Sequence, residues 1–279
     1  MQLIDAHQHF WLLADRQGQW PPPELTAIHR DFMPADLTPT LDRCQVEGTL
    51  LVQSQPTVAD TRFLLALADQ HSFVYGVVGW ADLKAADAAT QIAGLATHPR
   101  LKGLRPMLQD LPDANWIADV ALDPAVAAMC EHGLCFDALV LPRQLAALTW
   151  FARRHPRLPI VIDHAAKPPI ASGELSPWLA DMQLLAELPN VHCKLSGLLT
   201  EAGPDPQPVC MAPYLDAIYT LFGPERLMWG SDWPVLRLAG SYESWLTMAI
   251  DFCRARANAA QGTLDAIFSG NARRFYRLD

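Results

Sequence analysis

Several large classes of protein are excluded by what the sequence lacks. No C-x-x-C pair occurs among its six cysteines, Cys44, Cys130, Cys135, Cys193, Cys210 and Cys253. In a chain of 279 residues these do not read as a disulfide framework, and buried free thiols are the expectation. Met1-Gln2-Leu3-Ile4-Asp5 shows no basic region followed by an apolar stretch, so no signal peptide is expected. Apolar runs are short and broken by Asp, Pro or His, which leaves no room for a transmembrane helix. Basic residues are scattered, Arg153-Arg154 being the richest cluster, and the net charge is −9. No nucleic-acid footprint is present. These absences point to a cytoplasmic protein whose partner is neither a membrane nor a nucleic acid.

What is present favours a large folded core. Hydrophobic residues make up 51% of the chain and charged ones 18%, far from the composition of a disordered chain. Short apolar runs alternate with longer helical stretches. Eight runs read as strands: Leu3–Asp5, Thr49–Gln53, Val74–Trp80, Leu101–Arg105, Leu134–Ala138, Pro159–Asp163, Val191–Leu195 and Leu227–Gly230. They are rich in Val, Ile and Leu with little polar alternation, as in parallel strands buried on both faces. Thr38-Pro39, Asp123-Pro124 and Leu141-Pro142 place proline where a first helical turn tolerates it, and Thr38 and Asp123 are suitable N-caps. Trp245, Met248, Ala249, Phe252 and Cys253 mark one buried helix face. Eight alternations in one chain predict a single-domain (β/α)₈ barrel over residues 1–279, with an open doubly wound sheet as the alternative. Two segments that follow strands, Phe10–Leu37 and Gly197–Val209 with Pro204, Pro206 and Pro208, read as long loops at the barrel mouth.

Three motifs carry chemistry. In Asp5-Ala6-His7-Gln8-His9, strand alternation places His7 and His9 on the same side, where two imidazoles can bind one metal ion. Ile160-Val161-Ile162-Asp163-His164 ends an apolar strand in a histidine. Leu227-Met228-Trp229-Gly230-Ser231-Asp232-Trp233-Pro234 ends the last strand in a carboxylate suited to act as general base. Each has a bland reading: a surface pair, a packed histidine, a helix cap. All three, however, fall after strands at one face of the expected barrel.

At these residues the sequence resembles the amidohydrolase superfamily, and within it the sugar-lactonase branch that includes the L-fuconolactonases. The resemblance rests on Asp5-Ala6-His7-Gln8-His9-Phe10-Trp11, Val161-Ile162-Asp163-His164-Ala165-Ala166-Lys167-Pro168, Cys193-Lys194-Leu195-Ser196-Gly197-Leu198 and Gly230-Ser231-Asp232-Trp233-Pro234, and runs over essentially the whole chain. Strand four ends Gly103-Leu104-Arg105-Pro106 and strand five reads Cys135-Phe136-Asp137-Ala138. Neither supplies the ligands that many members use for a second metal. The resemblance therefore implies at most one divalent ion, zinc foremost, on His7, His9 and Asp232 with or without His164; catalysis without a metal is the other option. It implies hydrolysis of a sugar lactone, with Asp232 as base on water and His164 at the oxyanion. A lactone isomerase, a decarboxylase or a non-catalytic sugar-acid-binding barrel are the alternatives.

Other polar and aromatic residues at strand ends are candidate substrate contacts. Arg105 offers a planar fork of donors. Lys194 lies in an apolar strand and must reach a polar partner. Gln53, Trp80, Asp82 and Gln109 fall near the mouth, and Trp11, Trp80 and Trp233 offer faces to a sugar ring. The segment Arg105–Asp110 is expected to line the pocket. His29, His71, His98, His132 and His155 read as surface residues, and His192 as structural.

Overall fold

The computed structural model describes residues 2–16, 20–203, 206–256 and 261–278; Met1 and Pro204 lie outside the described residues. Eight parallel strands pair in sequence order: β1 (Leu3–Gln8), β2 (Val46–Val52), β3 (Val74–Gly79), β4 (Leu101–Leu104), β5 (Cys135–Ala138), β6 (Ile160–Ile162), β7 (Val191–Leu195) and β8 (Leu227–Trp229). All eight coincide with the expected runs, with ends shifted by a few residues. β8 returns to β1: Asp232 N–H donates to His7 O at 2.8 Å, and His9 N–H donates to Trp233 O at 2.7 Å. The sheet is thus a nearly closed barrel, not an open doubly wound sheet.

Helices separate the strands: α1 (Pro34–Cys44), α2 (Val58–Gln70), α3 (Ala88–Ala96), α4 (Asp123–Glu131), α5 (Leu145–Arg154), α6 (Trp178–Ala186), α7 (Leu198–Glu201), α8 (Pro208–Phe222), α9 (Tyr242–Arg256), α10 (Gln261–Asp265) and α11 (Asn271–Tyr276). The expected start of α1 at Thr38-Pro39 is wrong. The helix begins at Pro34, because Asp36 accepts the Met33 N–H and Thr38 donates its hydroxyl back to Pro34 O. Asp123 opens α4 rather than capping it, with Leu122 at the cap. Leu141-Pro142 does start a helical segment. Gly197–Val209 is not simply a loop, since α7 forms within it and α8 begins at Pro208.

Two apolar layers hold the barrel. The outer one joins alternate strand residues such as Leu51, Val77, Phe136 and Ile162 to helix faces that include Trp178, Trp245 and Phe151. Trp245, Ala249 and Cys253 of α9 are buried there as expected, with Met248 and Phe252 partly so. The inner layer joins Ile4, Leu50, Val161 and Met228 to Phe275, Tyr276 and Leu278, so that the C-terminal segment plugs the barrel. Each fully buried side chain of this size contributes roughly 1.5–3 kcal/mol. Two positions further along several strands the interior becomes ionic: Cys135 is followed by Asp137, Val161 by Asp163, His192 by Lys194 and Gly103 by Arg105. That charged layer is the floor of the site.

All six cysteines are free; Cys135, Cys193 and Cys253 are buried, whereas Cys210 is exposed. Among the described residues no helix is long and apolar enough to cross a membrane.

Candidate active site

The pairing of β1 with β2 slips between Asp5 and Gln8, and that irregularity aims the first motif. Simple alternation would place Asp5 and His7 on the same side. Instead Asp5 accepts hydrogen bonds from Tyr242 Oη at 3.0 Å and Ser231 N–H at 2.8 Å, clamping α9 and the end of β8 to β1. His7 turns inward. A bulge re-aims side chains in this way. Burial raises Asp5 to about 6 despite these bonds.

His7, His9, His164 and Asp232 converge. His7 Nε2 lies 3.2 Å from His9 Nε2, and Asp232 Oδ1 lies 3.3 Å from His9 Nε2 and 3.8 Å from both His7 Nε2 and His164 Nε2. The four side chains are buried. His9 Nδ1 sits 2.7 Å from Val52 O, and the only hydrogen bond possible there is N–H donation, which leaves the His9 Nε2 lone pair free. His164 Nδ1 pairs with Ser196 Oγ at 2.9 Å. Burial draws all three imidazoles toward neutrality and brings His164 to about 4. Burial alone would raise Asp232; His164, His9 and His7 outweigh it and hold this carboxyl well below the usual range.

The backbone here is strained. His164, Ala165, Ala166 and Lys167 have φ of 53, 49, 60 and 50°, and Asp232 has 59°. Left-handed backbone costs roughly 1–2 kcal/mol for each non-glycine residue, a cost typical of sites where geometry matters. Two glycines make room. A Cβ on Gly197 (φ +66°) would lie 2.4 Å from His164 Nδ1, and one on Gly230 would lie 2.7 Å from His7 Cβ.

Beneath this cluster lies the ionic layer. Lys194 Nζ meets Asp137 Oδ2 at 2.5 Å, Asp163 Oδ1 at 3.0 Å and His7 Nδ1 at 3.2 Å. Arg105 bonds Asp163 Oδ2 at 3.1 Å, approaches His7 Nε2 at 3.4 Å and donates to Gln53 O. Tyr276 Oη donates to Asp137 Oδ2 at 2.7 Å. Burial would lower Lys194, but Asp137 and Asp163 reverse that and raise it. Asp163 is held well down against its own burial by Lys194, His7 and Arg105.

A cavity of about 220 Å³ opens over the four converging side chains, lined by His9, His164, Asp232 and Arg105 together with residues of the mouth. This is below the usual range for drug-sized ligands, about 300–1,000 Å³, and suits a small molecule. Gln109 and the expected neighbours Met107 and Asp110 line it. Six candidate contacts do not. Lys194 is sealed in the layer below. Gln53 is buried and spends its amide on Arg105 O at 2.6 Å. Trp11 packs on Phe32 and donates to Arg30 O, Trp233 packs between Phe10 and Phe32, and Trp80 is tied by its backbone to Thr61. Asp82 instead accepts the Lys84 N–H. Trp20, Ser54, Leu139, Lys167 and Val235 are the lining residues that strand-end reasoning missed. Arg16 explains two of them: buried, it donates to Trp20 O at 2.6 Å and to Ser54 Oγ. No described residue of Gly197–Val209 lines the cavity.

The donor set fits one tetrahedral ion. Ligand atoms 2.0–2.1 Å from a zinc ion lie about 3.4 Å apart, close to the 3.2 to 3.8 Å separations of His7, His9 and Asp232. A second trio, His7, Asp163 and His164, lies close together as well. There, however, Asp163 is already paired with Lys194 and Arg105, two built-in cations.

Comparison with known proteins agrees with this geometry. Over 280 residues the chain is 56% identical to an L-fucono-1,5-lactonase of Burkholderia ambifaria, covering 99% of this chain and 96% of that one. It is 35% identical over 288 residues to an L-fucono-1,5-lactonase of Burkholderia multivorans, again covering 99% and 96%. The crystal structure of a Burkholderia multivorans amidohydrolase with bound zinc superposes with a TM-score of 0.93 at 34% identity, over the whole of both chains. The amidohydrolase family profile matches residues 4–278. The chain therefore belongs to the amidohydrolase family and is a hydrolase.

Proposed function

We propose that this chain, acting as one domain, opens the lactone ring of a sugar acid, L-fucono-1,5-lactone or an aldonolactone like it. One observation carries the reading: His9, His164 and Asp232 line a small cavity with His7 packed against them, in a chain 56% identical to a lactonase. Asp232 is ionised at neutral pH and takes the proton of the attacking water, then delivers it to the departing ring oxygen. His164, oriented by Ser196, and Arg105 face the developing oxyanion. His7, His9 and Asp232 would hold one divalent ion, zinc foremost, which supplies Lewis-acid polarisation of the carbonyl when bound. The six free cysteines suit a reducing cytoplasm.

A panel of aldono- and aldarolactones, followed with a pH indicator with and without a chelator, tests the reading. Acid release is expected, fastest on L-fucono-1,5-lactone or a close stereoisomer, and slowed by the chelator. Ring isomerisation or carbon dioxide release without ring opening would overturn it.

A further inference from the structure

The left-handed run His164–Lys167 turns two side chains toward the same cavity, and the site described above uses only His164. Lys167 N–H closes the turn on His164 O at 2.8 Å, and the Lys167 side chain lines the cavity beside His164, Asp232 and Arg105. Its ammonium differs from that of Lys194. Lys194 Nζ has three close partners, whereas Lys167 Nζ has one carboxylate oxygen, Glu201 Oε1 at 3.9 Å, and no hydrogen bond among the described residues. Both side chains of this pair are about a quarter exposed. It is therefore a loosely paired cation at the cavity wall.

The lactone reading, on which this inference rests, creates charge where there was none. Water oxygen bonds to the carbonyl carbon, the bond from that carbon to the ring oxygen breaks, and the ring oxygen leaves as a hydroxyl. The neutral ester becomes an acid that ionises to a carboxylate. We propose that Lys167 is a substrate contact whose ammonium receives this negative charge, first on the tetrahedral oxyanion and then on the product carboxylate. Glu201 holds the ammonium until the anion competes for it.

Kinetics of Lys167→Met and Lys167→Arg test the assignment, with L-fucono-1,5-lactone as substrate and its product acid as inhibitor. In Lys167→Met the product inhibition constant should rise about tenfold and kcat should fall about tenfold, while KM for the uncharged lactone moves less than threefold. Lys167→Arg should recover most of both. Glu201→Gln, which frees the cation, should tighten product inhibition severalfold; it serves if Lys167→Met does not fold. An unchanged inhibition constant in Lys167→Met or Glu201→Gln would overturn the proposal, as would KM and inhibition rising together without rescue by arginine. A parent protein that hydrolyses no lactone refutes the reading beneath it; active parent protein with unmoved inhibition refutes the Lys167 assignment alone.

Discussion

Lys194 Nζ lies 2.5 Å from Asp137 Oδ2, with neither side chain reaching solvent. Removing one partner leaves the other charge buried and unpaired, which costs about 3–5 kcal/mol. Lys194→Met should therefore lower the unfolding temperature by several degrees, and the double variant Lys194→Met with Asp137→Asn should recover part of the loss. Thermal melts of the three proteins decide the matter. A single variant as stable as the parent would show that this pair is not what the barrel floor depends on.

Asp232→Asn keeps the shape of the side chain and removes its basicity. Turnover should fall at least about a thousandfold on loss of a general base that also orders the site. Circular dichroism should be unchanged. Near-normal turnover would remove Asp232 from the mechanism.

Gly197→Ala forces a methyl group against the His164 ring in a backbone with φ +66°. The stability cost should be about 1–2 kcal/mol for the left-handed residue. The catalytic loss should be larger, because His164 must shift. We expect kcat to fall more than tenfold with a modest drop in melting temperature; kcat within twofold of the parent would contradict the close approach.

His192 sits in the barrel plug against Phe275, and burial together with Arg226 and Arg274 lowers it to about 4. An unfolded histidine titrates near 6.5, so the unfolded chain binds this proton more tightly. The stability linked to His192 is complete above about pH 6.5 and is lost as pH falls toward 4, on the order of 2 kcal/mol. Urea melts at pH 7.5 and 4.5 should show a steeper loss for the parent than for His192→Gln. Equal losses would mean that His192 is not a source of the acid sensitivity.

The eight strands and the three motif ends were legible because buried parallel strands read as apolar runs and because each motif ends such a run. The helix starts were less so. Thr38-Pro39 has the form of a helix start, but Pro34, four residues earlier, together with Asp36 supplies a better one, and two competing starts this close are separated only by how the chain enters the barrel. The aromatic contacts were misplaced for a related reason. Trp11, Trp80 and Trp233 stand nearest the strand ends, yet Trp20, far along the loop after β1, reaches the cavity because Arg16 folds that loop back over Ser54.

Alternation and composition alone determined that this chain builds a parallel barrel with histidines and aspartates at strand ends, since a residue's side of a strand and its distance from the strand end are local properties. Tertiary structure alone decided which polar side chains face substrate and which face each other. Lys194 and Asp163 look like mouth residues in the linear chain. They are fully buried because Asp137 and Arg105, brought from other strands, neutralise them there, and His7 takes a further Lys194 hydrogen bond. Compensation of a buried charge depends on neighbours distant in sequence, and only closure of the barrel assembles them.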